Sequence, residues 1–120
     1  RLNVDAWLDQ QWLTEDTYHD LLQLRPFGPQ HREPIFASRQ LLIKEARPVG
    51  RNGEHIKFKF ETGAPHPRWI DGIGFSLAPR LRQLGPENEI IFSLDMNTFN
   101  GRTALQLSVK DIRPSSCAPA

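Results

Sequence analysis

The sequence predicts a mainly β domain, a small five-stranded barrel with one short helix between its third and fourth strands. Three observations predict it. Two alternating apolar/polar runs flank Asn100-Gly101 near the C-terminus. A third clean alternation runs through His55-Ile56-Lys57-Phe58-Lys59-Phe60. Between them, Leu77, Leu81 and Leu84 recur at helical spacing and stop at Gly85-Pro86.

The hairpin is the best-specified element. Asn-Gly favours a two-residue type I′ turn, because both central residues need positive φ. The pairing then follows: Phe99 with Arg102, Met96 with Leu105, Leu94 with Leu107, Phe92 with Val109. All three apolar pairs fall on one face, and Met96 with the Leu/Phe series is expected in the core. Ser93, Asp95, Gln106 and Ser108 fall on the other face. A slip of one residue would turn every apolar pair outward, so the register is strongly specified.

Upstream, residues 35–49 are long enough for one bent strand. Gly50-Arg51-Asn52-Gly53 supplies turn chemistry. The second strand puts Ile56, Phe58 and Phe60 on one face and His55, Lys57 and Lys59 on the other. A third strand is expected from about Trp69 to Ser76, with Ile73 and Phe75 on the apolar face. Gly72 and Gly74 fall on the opposite face, as bends or close-approach sites. Strict alternation from Ile73 sends Trp69 inward, as core or loop plug, unless Gly72 shifts the phase; base stacking is the alternative. The order strand-strand-strand-helix-strand-strand matches the OB-fold, a partly open Greek-key barrel; the rival SH3-like barrel normally lacks that helix.

Residues 1–34 do not read as an independent fold. A short strand ends near Trp7, and Thr14 is a helix N-cap followed by Glu15 and Asp16. Tyr18, Leu21 and Leu22 continue at helical spacing, and Pro26 ends the helix. One strand and one short helix cannot bury their own apolar faces. The segment is therefore expected to be the end of a preceding domain plus a proline-stiffened linker, 26–34, with Trp7 and Trp12 half-orphaned. The barrel is expected over 35–113 and a flexible tail over 114–120.

Composition narrows the class. The chain of 120 residues is 38% apolar, with three Trp and seven Phe, enough for a core. No apolar run reaches the roughly 18 residues of a membrane span, and no charged-then-apolar leader opens the chain. A start at Arg1 without Met suggests an excised or processed fragment. Cys117 is the single cysteine, which excludes disulfides and a thiolate metal cluster within the chain. A reducing, cytoplasmic setting is the default. Net charge is +1. Residues 1–33 hold three Arg against six Asp/Glu, and the remainder twelve Lys/Arg against eight Asp/Glu. The basic second part suggests a polyanion partner.

The strings PFGPQHREPIF, GEHIKFKF, DGIGF and NTFNGRTALQLSVKDIR resemble the C-terminal part of RecJ, the bacterial single-stranded-DNA-specific exonuclease family of the DHH phosphoesterases. Residues 1–33 resemble the end of its DHH-associated domain, and residues 35–113 its OB domain. The linker departs from the family pattern Pro-Phe-Gly-x-Gly-Asn-Pro: Gln30, His31 and Arg32 replace Gly, Asn and Pro. The resemblance implies, for the parent enzyme, 5′-to-3′ degradation of single-stranded DNA with Mn²⁺ or Mg²⁺, in repair and recombination. Such chemistry needs Asp and His converging on the ions. The family's Asp-His-His and Gly-Gly-His motifs are absent, and His19, His31, His55 and His66 are scattered. No catalysis and no cofactor are expected in this fragment.

The outer face of the second strand is the expected nucleic-acid site. Single strands are held by a cationic groove with aromatic platforms, and OB-folds present it on strands two and three between two rim loops. His55, Lys57 and Lys59 line that face. Arg47 and Arg51 are expected in the first rim loop, and Arg102 in the second. Phe99, opposite Arg102, can stack on a base or lie on the arginine stem. The function expected is a non-catalytic single-stranded DNA binding module. The alternative is a barrel that braces the parent's catalytic domains or recruits a single-strand-binding protein, with residues 7, 12 and 99 in interfaces. An RNA-directed OB module is a third class.

Overall fold

The computed structural model describes residues 4–23, 33–39, 41–63, 66–84 and 88–114. Seven strands form one mixed sheet: β1 (Ala6–Trp7), β2 (Phe36–Ser38), β3 (Leu42–Val49), β4 (His55–Glu61), β5 (Trp69–Gly74), β6 (Asn88–Phe99) and β7 (Arg102–Pro114). Their order across the sheet is β1-β2-β6-β7-β5-β4-β3. Two pairs are parallel, β1 with β2 and β5 with β7. The expected bent strand over 35–49 is split in two. Its first piece pairs with β6 and its second with β4. These pieces lie near opposite ends of the ladder, so the chain itself spans the gap that hydrogen bonds leave open. The sheet thus curls around one core without closing.

The hairpin register is as read from Asn100-Gly101: Phe92, Leu94, Met96 and Phe99 oppose Val109, Leu107, Leu105 and Arg102. Asn100 and Gly101 both have positive φ, 53° and 77°. One feature is additional. Ile91 opposes Asp111 while Phe92 opposes Val109, so Lys110 is an extra residue, a bulge. Ile90, Ile91 and Phe92 are all buried, Ile90 and Phe92 within the core cluster. Met96 and Leu105 are only half-buried, against the expectation of core, because that part of the hairpin runs past the body of the sheet.

Ile56, Phe58 and Phe60 of β4 are fully buried, with the rings of Phe58 and Phe60 stacked at 5.2 Å. Each such burial contributes about 1.5–3 kcal/mol. The expected helix after β5 is a 3-10 segment, Ala78–Gln83. Its bonds run from Arg80 N to Leu77 O and from Leu84 N to Leu81 O. Pro79 stands in its first turn, where the missing N–H costs no intrahelical bond. Leu77 beside it packs into the core.

The N-terminal segment packs on the sheet. A 3-10 turn (Gln10–Trp12) precedes α1 (Glu15–Leu22), which Thr14 caps by accepting from Thr17 N at 3.2 Å. Leu13, between them, is completely buried in the core cluster. Trp7 and Trp12 are about half exposed. The linker expected at 26–34 falls largely outside the described residues, as do Gly85-Pro86 and the tail beyond Pro114. Among the described residues, no helix is long and apolar enough to cross a membrane.

Candidate nucleic-acid interface

The parity of β5 decides the chemistry of the outer face. The sequence reading put Ile73, Phe75 and Trp69 inward and the glycines outward. The structure reverses this. Ile70, Gly72 and Gly74 face the core, while Trp69 is 59% and Phe75 64% exposed. Gly72 lies opposite Phe58 and Gly74 opposite Ile56. A Cβ on Gly72 would stand 2.6 Å from Phe60 Cε2, and one on Gly74 2.5 Å from Leu77 Cδ1. Phe60 at Gly72, and Leu77 with Phe58 at Gly74, occupy the space that side chains there would need. A signal for this was available: Asp71 shares the parity of Trp69 and Ile73. Turning that face inward would bury a carboxylate, which is costly without a partner.

Three of the expected site residues come together. Lys57 lies between Arg47 on β3 and Ile73 on β5, and Lys59 between Glu45 and Asp71. They line a depression of about 200 Å³ floored in part by Phe58. Arg47 also reaches Glu45 at 3.5 Å. Among the described residues no carboxylate lies within ion-pair distance of Lys57 or Lys59. The Lys59 ammonium instead sits 5.9 Å from the centre of the Trp69 ring. Like charges directly opposite on a sheet destabilise it, so the Arg47/Lys57 pair is a local cost that an anion between them would offset.

His55 is committed within the protein. Its Nδ1 accepts from Ser76 N at 2.8 Å, and its Nε2 lies 3.5 Å from Glu54. Ser76 has a left-handed backbone, φ 61°. That turn carries Phe75 off the ladder, and its ring meets His55 edge-on at 5.2 Å. Glu54 also accepts from Asn52 N at 3.0 Å, bracing the turn that carries Arg51. Hydrogen bonds from its own and the Asn52 main-chain N–H hold the Glu54 carboxyl below its ordinary value.

The remaining expected residues stand at the two rims. Arg51 is exposed in the turn at the His55 end of β4. Phe99, 71% exposed, and Arg102 form the hairpin tip. Gln106 pairs with Asp71, and Arg102 lies four residues earlier along β7, about 13 Å at ordinary strand rise. The tip therefore projects beyond the Trp69 end of the face. Sequence reasoning missed Trp69 and Phe75 as members of this surface. Among the described residues, no group of three His, Cys, Asp or Glu side chains is placed to hold a metal ion.

The profile of the RecJ OB domain matches residues 4–111. The chain belongs to the RecJ OB domain family. Among curated relatives, the single-stranded-DNA-specific exonuclease RecJ of Salmonella typhimurium is 29% identical over 131 aligned residues, covering 92% of this chain and 22% of the relative. The chain thus spans about a fifth of that relative's length. Among solved structures, RecJ of Thermus thermophilus in complex with Mn²⁺ superposes with a TM-score of 0.66 at 24% identity, over 99% of this chain and 16% of that one. The mitochondrial single-stranded DNA binding protein Rim1 of S. cerevisiae superposes with a TM-score of 0.50 at 13% identity, over 69% of this chain and 96% of that one. At these identities the two superpositions speak for the fold alone.

Proposed function

We propose that this RecJ OB domain binds single-stranded DNA on the outer face of β3, β4 and β5 and performs no catalysis itself. One observation carries the reading: exposed cations and exposed aromatics share one open sheet face. Arg47, Lys57 and Lys59 stand in the middle, with Trp69 at one end of β5 and Phe75 just past the other. Aromatic planes stack on bases and cations contact phosphates, the combination that single strands require. Glu45 and Asp71 lower the local potential, so stacking carries much of the affinity. Arg51, Phe99 and Arg102 extend the contact at the rims, and His55 braces Phe75. In the longer protein, residues 1–34 end the preceding domain and 35–113 form the binding barrel. The parent is a cytoplasmic, Mn²⁺- or Mg²⁺-dependent 5′-to-3′ exonuclease of repair and recombination. Its metal ligands lie in its catalytic domains, to which the barrel feeds the strand.

Titration with oligo-dT across a salt series tests this. Changing Lys57 and Lys59 together to Ala weakens binding and flattens the salt slope by about 0.7 per lost phosphate contact. An unchanged slope would place the site elsewhere. A second reading, docking of the catalytic domains or a single-strand-binding protein, is favoured by Trp7 and Trp12, which are 56% and 54% exposed on the N-terminal segment. In that case the chain leaves oligo-dT unbound even at low salt.

A further inference from the structure

We infer that Arg68 is a positioning residue, clamping the β4–β5 connection to the N-terminal segment so that Trp69 is held ready for a base. The inference deepens the DNA-binding reading above and rests on it. Arg68 immediately precedes Trp69, the first residue of β5. Its guanidinium donates to two main-chain carbonyls of the N-terminal segment, Leu13 O through Nη1 and Gln10 O through Nη2, each at 2.8 Å. Its main-chain N–H donates to Thr62 Oγ1 at 2.9 Å, and its carbonyl accepts from Thr62 N at 2.9 Å. From the opposite side, the Gln10 side-chain oxygen accepts from Gly63 N at 2.6 Å. Both ends of the connection are therefore tied to the 3-10 turn over Gln10–Trp12.

The tie has a firm anchor. Leu13 is fully buried, and Thr62 is 2% exposed. Trp69 itself is held through its main chain, opposite Glu61 on β4. Its ring is mostly in solvent, touched from one side by the Lys59 ammonium. An exposed aromatic that is already fixed loses less conformational freedom on stacking, and that saving appears as affinity. The planar guanidinium bridges two carbonyls at once, a geometry that a lysine ammonium does not reproduce. The segment ahead of the barrel thereby sets the readiness of the binding face without touching DNA.

The test uses the full 120-residue chain with Trp7→Phe and Trp12→Phe, so that Trp69 is the single tryptophan. Arg68→Lys keeps the charge and loses the bridge; Gln10→Ala opens the clamp from the other side. In both, Trp69 fluorescence anisotropy falls, and oligo-dT affinity drops about five- to tenfold, part of what one stacked base contributes. The salt slope stays at the parent value, because no phosphate contact is lost. Unchanged Trp69 anisotropy in both variants overturns the clamp. A flattened salt slope in Arg68→Ala, with affinity retained in Arg68→Lys and Gln10→Ala, also overturns it, since Arg68 would then be a phosphate ligand. If Trp69→Ala binds as tightly as the parent, the base-stacking reading itself fails, while the anisotropies still decide whether Arg68 orders Trp69.

Discussion

Placing a methyl group on Gly72 tests the inverted parity of β5 directly. An ideal Cβ there stands 2.6 Å from Phe60 Cε2 and 3.4 Å from the Leu107 carbonyl oxygen. Carbon atoms prefer separations of about 3.5–4.0 Å, so the ring must retreat by roughly 1 Å. Phe60 is fully buried and stacked on Phe58, which leaves it no free direction. Gly72→Ala should therefore cost about 1–3 kcal/mol, the usual range for overpacking. Urea unfolding would read this as a lower midpoint at constant slope. Shortening the obstructing ring should return part of the loss. Phe60→Leu in the Gly72→Ala background should cost less than the two single changes together, with a coupling of about 0.5–3 kcal/mol. Trp69→Ala is the control; as an exposed position it should stay within about 0.5 kcal/mol of the parent. A neutral Gly72→Ala, or a Trp69→Ala costing the roughly 3–5 kcal/mol typical of a buried tryptophan, would refute the placement of glycines inside and aromatics outside.

Two further outcomes follow from the turns. Gly101 has φ +77° with nothing within 4 Å of where a Cβ would stand, so Gly101→Ala should lose only the conformational cost of the left-handed region, about 1–2 kcal/mol, read as a lower thermal midpoint; an unchanged midpoint would deny the type I′ turn. Glu54, whose carboxyl is depressed below 4.5, contributes stability that is present above that value and lost as the pH falls through the lower folded one. The stability difference between the parent and Glu54→Gln should accordingly be present at neutral pH and vanish in acid. A difference that grows on acidification would contradict the brace on the 50–54 turn.

The division between what is local and what is not can be traced in particular residues. The hairpin register was legible because Asn100-Gly101 admits one turn and because Phe92, Leu94, Leu107 and Val109 then agree on one face. The outward row of Lys57 and Lys59 was legible for the same reason: on β4 polarity alternates without exception from His55 to Phe60. On β5 the same rule misled. Trp69, Ile73 and Phe75 look like the buried set, and glycine has no side chain to declare its face. The Asp71 carboxylate was the dissenting residue, and it indicated the correct parity.

Alternation and turn chemistry thus determined, from the sequence alone, the β class, the final hairpin and the cationic side of β4. Only the tertiary structure decided which face of β5 meets the core, because Phe60 fills the space above Gly72, and Leu77 with Phe58 the space above Gly74. It also decided that residues 35–49 serve two partners. β6 and β4 compete for that segment's hydrogen bonds, and curvature around a shared core gives its first piece to β6 and its second to β4. Such choices depend on residues distant in the chain meeting in space, and a pattern read along one strand does not contain them.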